Sequence, residues 1–373
     1  MFVDASLYLA VLPLLPVYAH RFHMSTVGSA VLVAAYPMAV PAVSLACVVL
    51  VPRVGARRIA LASALIMTAA TIVFALAPDA PVLDLARFIQ GLASGSIWTS
   101  SMAWVTENAP AGRRGRESGI VMGMLSAGSI AGPGVGALAS WIGVAPAFLL
   151  VAVVSAVSVG MTAAAPAGPA VARQPGLARA LRRSTRHPAT RAALAIAVVD
   201  PLAFGAIDVL VPLDLGRLGV TTAVLAAALT AGAAIGAVAG PVGGRLVDRV
   251  GPFKVALAAG LAIVCCPLIL APHPRTAFQL AVVVIASPVF AVAGSAIFPL
   301  ASTGADATGV AHVVVNGLQG AVWAVGFTVS PLAVGLIAQA VSTEAAFLVA
   351  AGLCLPPLWV LARSAGINLR RVA

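Results

Sequence analysis

Residues 243–254 read GGRLVDRVGPFK, and residues 48–58 read VVLVPRVGARR. Placing Asp248-Arg249-Val250-Gly251 over Pro52-Arg53-Val54-Gly55 sets an offset of 196 residues. The same offset pairs Val3-Asp4 with Val199-Asp200, Tyr8 with Phe204 and Pro16 with Pro212. Farther along, Gly128 and Pro133 pair with Gly326 and Pro331 at an offset of 198. A repeat of this length makes the chain two halves of one design.

The setting of the repeat is apolar. Of 373 residues, 61% are hydrophobic and 9% charged, with a mean hydropathy of +1.07. A soluble domain carries about 25% charged residues, so this composition excludes a water-coated surface. Runs of roughly 18 or more apolar residues read as spanning helices. Twelve are present, at about 2–19, 27–50, 57–77, 81–106, 117–140, 143–164, 192–213, 221–243, 254–272, 276–301, 310–339 and 344–362. Stretches such as VLVAAYPMAVPAVSLACVVLV (31–51) do not alternate, which argues against a transmembrane β-barrel. The expected fold is an all-α membrane protein of 12 transmembrane helices in two pseudo-symmetric six-helix bundles. The bundles are 1–164 and 192–364, with a linker at 165–191 and a tail at 365–373.

With twelve spans, the termini and every even-to-odd connection share one side. That side holds 18 of the 22 basic residues, including six arginines between 173 and 191. The positive-inside rule makes it cytoplasmic. The net charge of +11 follows from this topology and from contact with anionic lipid, which removes the reason to invoke nucleic acid. The linker stretch GLARALRRS (176–184) reads either as a basic amphipathic helix on the lipid surface or as a solvated connector. The N-terminus lacks the basic region of a cleaved signal. About 17 residues precede Tyr18 where about 20 cross a bilayer, so an initiating codon upstream of Met1 is expected. Cys47, Cys265, Cys266 and Cys354 all fall in apolar spans without metal spacing.

The stretch Gly244 to Lys254 resembles the loop signature of the major facilitator superfamily, matched by Gly244, Asp248, Arg249, Gly251 and Lys254. The first-half copy keeps Arg53 and Gly55 but has Val48 for a glycine and Pro52 for the acid. The fifth span reads G-x8-G-x3-G-P-x2-G-A through Gly119, Gly128, Gly132, Pro133, Gly136 and Ala137. It resembles the signature of that superfamily's drug:proton antiporters, apart from Ala137 in place of a last glycine. RFIQG (87–91) and PLLP (13–16) resemble the family's intramembrane arginine and paired-proline motifs, and PAGRRGR (110–116) is typical of the loop after span four. The likeness covers essentially the whole chain and implies a twelve-span exporter that trades protons for a small molecule.

Each motif also has a physical reading. Asp248, flanked by glycines, reads as a gate that pairs with Arg245, Arg249 or a helix N-terminus. Glycines four apart clear one stripe of the fifth span for a neighbouring helix. A charge near the bilayer centre costs at least about 2.5–3.5 kcal/mol, so the intramembrane charges need a role. Asp84, one turn before Arg87, offers a structural i,i+3 partner; the alternative is that Arg87 answers to a protonatable acid or the substrate. Asp4, Asp200 and Asp208 are the candidate proton carriers, with Asp200 slightly favoured, because burial disfavours the charged form of a carboxylate. Gln90, Asn316 and Gln319 read as cavity residues, and Trp323 as cavity or core.

The expected activity is proton-coupled antiport of a small hydrophobic or amphipathic compound by alternating access. Proton-coupled uptake and a non-transporting sensor or membrane partner are the alternatives. No catalytic constellation, phosphate loop or metal cluster is legible, so no enzyme activity, cofactor or metal is expected. A monomer in a bacterial inner membrane is expected, with both termini cytoplasmic. The 21 arginines to one lysine fit a GC-rich bacterial genome.

Overall fold

A computed structural model describes residues 1–108, 114–166, 176–272 and 275–372. Within these, the side chains at 103, 105–108, 114–119, 122, 312, 313, 316 and 367–372 are not described. The expectations for Gly119 and Asn316 therefore lie outside the described residues. The chain begins with α1 (Phe2–Ala10), a 3₁₀ turn (Leu12–Leu14) and α2 (Leu15–Arg21). It continues through α3 (Thr26–Val54), α4 (Ala56–Ala75), α5 (Ala80–Asn108), α6 (Arg114–Ile142) and α7 (Val144–Ala164). After α8 (Leu177–Ser184) come α9 (Pro188–Arg217), α10 (Thr222–Val250), α11 (Pro252–Leu270), α12 (Thr276–Thr308), α13 (His312–Ala340) and α14 (Thr343–Val372). Ten helices, among the described residues, are long and apolar enough to cross a membrane, taking Phe2–Arg21 as one.

The duplicated phrase is a helix stop and restart. Helix α3 ends at Val54 and α4 begins at Ala56, so Gly55 is the whole connection; Gly251 does the same between α10 and α11. Their φ angles are +98° and +90°, a region open to glycine and strained for other residues. Each glycine amide closes the preceding helix, on Val51 O and Val247 O, both at 2.9 Å. The starts also match: Ser25 Oγ accepts from the Gly28 amide at 3.1 Å, and Thr221 Oγ1 accepts from the Val224 amide at 3.4 Å. These are side-chain N-caps, and 196 residues separate them. Gly251→Val is expected to cost about 2 kcal/mol through backbone strain, read as a lower unfolding midpoint in detergent. Gly244→Ala, whose added Cβ would meet no atom within 4 Å, should leave that midpoint unchanged.

Packing follows the repeat. Helix α3 lies along α5 and α13, and its counterpart α10 lies along α12 and α6. Helix α1 packs on α6 as α9 packs on α13, and α4–α7 is matched by α11–α14. One apolar cluster joins both halves on the side opposite the arginine-rich loops, running from Leu7, Leu14 and Phe74 to Leu210, Val211 and Phe347. A second belongs almost wholly to the second half, around Ala192, Ile196, Ala256 and Leu361.

Three local features differ from the sequence expectation. The first span is broken, because Pro13 and Pro16 lack the amides a continuous helix would need, and a 3₁₀ turn forms between α1 and α2. Helix α9 starts at Pro188 and α14 runs on to Val372. Helix α8 is docked on the second half by its apolar face. Ala180 and Ser184 are buried, Leu177 and Leu181 pack on the second cluster, and only its arginine face is exposed.

Candidate functional site

Where α1, α3, α5 and α9 approach one another, the apolar interior holds a group of ionisable side chains. Arg87 is 1% exposed, Gln90 1%, Asp200 1%, and Asp4 and Asp208 8% each. Such burial is costly unless each polar atom finds a partner, so the partners define the site.

Arg87 is tied to its surroundings by several contacts. Its Nη1 donates to the Leu7 carbonyl at 3.3 Å and to Gln90 Oε1 at 3.2 Å. Gln90 Nε2 donates in turn to Thr71 Oγ1 on α4 at 3.3 Å. The guanidinium carbon lies 4.5 Å from the Tyr36 ring centroid and 5.9 Å from that of Tyr8, within cation–π range. Arg87 Nε has no hydrogen-bond partner, and neither does Asp84 Oδ1. The i,i+3 partner expected for Arg87 is thus Gln90, ahead in the helix, and not Asp84 behind it.

The carboxylates are held by tyrosines. Tyr36 O–H donates to Asp4 Oδ1. Tyr8 O–H, on α1, donates to Asp208 Oδ2, on α9, at 3.5 Å. The two tyrosine rings lie 5.5 Å apart. Asp4, Tyr36, Arg87, Tyr8 and Asp208 thus form one chain of contacts from the first half of the sequence into the second. Asp200 stands apart, with its Oδ1 unpartnered. It shares its stretch of α9 with Val199, whose carbonyl accepts from the Cys354 thiol at 3.5 Å.

From α13, Phe327 meets the Tyr8 ring edge-on at 5.8 Å, and Trp323 stacks tilted on Phe327 at 4.6 Å. Gln319, Trp323 and Phe327 are four residues apart and share one helix face. Gln319 Oε1 is buried without a partner. This face therefore carries an aromatic wall ending in an unused acceptor. Gln90, expected in a cavity, instead braces Arg87.

The fifth-span glycines face α1. A Cβ on Gly128 would strike the Phe2 carbonyl, one on Gly132 would lie 2.7 Å from the Ser6 carbonyl, and one on Gly136 would strike Pro13. Ser6 Oγ donates to the Gly128 carbonyl at 3.1 Å. Helix α6 is continuous through Pro133. Gly91, which closes the RFIQG motif, backs onto the Tyr36 carbonyl, where any Cβ would collide. Gly91 therefore sets how near α5 brings Arg87 to Tyr36.

The loop residues lie apart from this cluster. Asp248 is exposed and makes no described ion pair with Arg245 or Arg249. Arg249, Lys254 and Arg53 are exposed as well. Arg57, which was not singled out, donates to the Thr162 carbonyl at 3.4 Å and to the Ala163 carbonyl, closing the end of α7. Tyr8, Tyr36, Thr71 and Phe327 were also missed as functional residues. The available signal was Tyr8 one turn after Asp4, on the same helix face.

A family model described as Major Facilitator Superfamily matches residues 1–317. The "MFS-type transporter ppzB" of Metarhizium majus (strain ARSEF 297) is 27% identical over 167 residues, 43% of this chain and 37% of that protein. The match thus spans little more than a third of that relative's length. A solved structure, "Crystal Structure of A Bacterial Homolog to Human Lysosomal Transporter, Spinster, in Inward-facing And Unoccupied Conformation", has a TM-score of 0.71 at 14% identity. That likeness, covering 98% of this chain and 93% of the other, is one of fold. The chain therefore belongs to the major facilitator superfamily, as a multi-pass membrane transporter and not an enzyme.

Proposed function

We propose that this transporter exports a small hydrophobic or amphipathic compound in exchange for protons, by alternating access between two six-helix bundles. The spans are the ten apolar helices together with α5 and α6, each 29 residues long. The bundles are 1–164 and 192–364, joined by the linker 165–191 and followed by the tail 365–373. The arginine distribution supports cytoplasmic termini in a bacterial inner membrane. Protons, the small-molecule substrate and lipid are its partners, and a monomer is its working unit.

The observation that carries this reading is the buried chain Asp4–Tyr36–Arg87–Tyr8–Asp208. It places exchangeable protons beside a fixed cation at the junction of the two halves. A carboxylate there can take a proton in one conformation and lose it in the other, and a bound substrate competes for the same groups. The fifth-span seam supports export, since close glycine packing of α6 on α1 opposes leakage. Asp248 and its arginines act as a gate in the alternate state, with the first-half copy weaker for lack of an acid.

The test is proton movement in proteoliposomes under an imposed pH gradient, across a panel of amphipathic drugs. A transported compound should release protons with wild-type protein. Asp208→Asn or Asp200→Asn should abolish that release, which also names the carrier. Full proton release in both variants would remove these acids from the mechanism. Inward movement of compound together with protons would replace export by uptake.

A further inference from the structure

The side opposite the arginine-rich loops is closed by contacts between the halves. Gly216 of α9 backs onto α2, where a Cβ would lie 2.7 Å from Pro16 Cβ. Arg217 Nη2 donates to Thr26 Oγ1 at 3.5 Å. The Val27 amide donates to Gln339 Oε1 at 3.2 Å. A Cβ on Gly335 would lie 2.6 Å from Ala30 Cβ. All of these sit within about two turns of the helix ends at that mouth. Deeper in, the polar contact that crosses between halves is Tyr8 O–H to Asp208 Oδ2 at 3.5 Å. Tyr8 is braced there by Phe327, with ring centroids 5.8 Å apart. Toward the arginine-rich side, α5 and α12 share no extended packing among the described residues.

We propose that the Tyr8–Asp208 contact is a latch that holds the outer mouth shut while the transporter carries neither proton nor substrate. This rests on the proton-coupled reading above. An O–H donor bonds an ionised carboxylate about twice as strongly as a neutral acceptor. With Asp208 ionised, Tyr8 therefore ties α1 to α9 and favours the closed mouth. With Asp208 protonated the tie weakens, and the mouth can open and close while carrying the proton. A substrate that takes over Asp208 or Tyr8 releases the latch in the same way. Without it, the empty, deprotonated protein would reopen outward, pick up another proton and dissipate the gradient.

The other groups around Asp208 fit this role. Asp200 lies two turns earlier on the same helix, with its Oδ1 buried and unpartnered. From α5, Arg87 stands behind Tyr8, 5.9 Å from its ring; from α3, Tyr36 stacks on the same ring and is committed to Asp4. From α14, the Cys354 thiol is committed to backbone carbonyls, and α13 presents the apolar ring of Phe327. Tyr8 is a positioning residue in this scheme, acting through Asp208.

Tyr8→Phe removes the hydroxyl and keeps the ring, so the packing on Tyr36 and Phe327 is preserved. In proteoliposomes under a pH gradient without any drug, its proton leak should exceed wild type by about ten- to a hundredfold, the range of one hydrogen bond to a charged group. A second readout does not depend on coupling. Val27→Cys with Gln339→Cys, in a background with Cys47, Cys265, Cys266 and Cys354 replaced, reports closure of the mouth through a thiol cross-linker. Tyr8→Phe should lower its yield, and should add nothing when Asp208→Asn is already present. An unchanged yield overturns the latch whatever the fluxes do. A lowered yield with wild-type leak overturns its role against slippage. If wild-type protein moves no protons with any drug, the coupled reading fails, while the cross-linking result still decides the latch.

Discussion

Arg87→Lys is expected to lower gradient-driven transport by about a hundredfold while the purified protein stays folded. The substitution keeps a positive charge in the fourth span, so a role as a mere point charge would be preserved. Two other things are lost. The planar guanidinium lies 4.5 Å from the Tyr36 ring centroid, and a lysine ammonium has no flat face to match it. The Nη1 that bonds both the Leu7 carbonyl at 3.3 Å and Gln90 Oε1 at 3.2 Å has no equivalent on a four-carbon stem with a compact head. Gln90 would then be held by Thr71 alone, and Tyr36 would lose the cation that sets its ring against Asp4. Two weakened links in the chain, each about 1.4 kcal/mol, multiply to about a hundredfold. The measurement is substrate flux in proteoliposomes at fixed pH gradient, beside the unfolding midpoint. Wild-type flux in Arg87→Lys would mean that charge alone matters and that the cation–π geometry is incidental.

What was readable in the sequence was whatever the backbone imposes. Gly55 and Gly251 stood at the same place in a doubled phrase between apolar runs, read as one loop per half, and the structure puts both at φ near +90°. The buried acids were readable as well, since charge in an apolar run is conspicuous. The tyrosines were not. A tyrosine in a spanning helix reads as packing, and nothing in a linear sequence shows that Tyr36, 32 residues after Asp4, donates to it. Arg87 and Gln90 were legible as intramembrane polar groups, but the bond between them was not. Asp84 and Gln90 both stand three residues from Arg87, and only the direction of the side chain chooses between them.

The repeat also hides an asymmetry that offsets alone do not display. The first half has Tyr36 on α3 and Gly91 on α5, in backbone contact. An offset of 196 carries these positions to Gly232 on α10 and Ser287 on α12. There the glycine has changed helices: a Cβ on Gly232 would lie 3.0 Å from Ser287 Oγ. Close approach is kept in both halves, while the tyrosine is present in only one. Arg87 likewise maps to Val283. The duplicated scaffold therefore carries its fixed cation and the tyrosine that donates to Asp4 in the first half alone, and Asp208 is reached from there by Tyr8.

The same exchange of small and large residues makes the α1–α6 seam testable by transplanting the second half's solution. Gly132 opposes Leu9, and a Cβ on Gly132 would lie 2.9 Å from Leu9 Cβ and 2.7 Å from the Ser6 carbonyl. The equivalent pair is Ser330 on α13 and Gly205 on α9, where a Cβ on Gly205 would lie 2.9 Å from Ser330 Cβ. Ser330 Oγ donates to the Leu202 carbonyl at 2.6 Å, the counterpart of the Ser6 carbonyl. Gly132→Ser alone should cost about 3 kcal/mol by overpacking, seen as a lower unfolding midpoint and loss of transport. Leu9→Gly alone should cost a similar amount through lost packing and a glycine within a helix. Together they should cost no more than Leu9→Gly by itself. The removed side chain makes room for the new Cβ, and the new hydroxyl can donate to the Ser6 carbonyl as Ser330 does to Leu202. Strictly additive losses would mean that the two seams share a sequence pattern but not a packing rule. Non-additivity of about 2 kcal/mol or more would establish that each half needs one bare backbone at this crossing and is indifferent to which helix supplies it. In that case the antiporter-like glycines of α6 are one of two interchangeable ways to close the bundle, and the direction of transport would have to be argued from the buried acids and Tyr8.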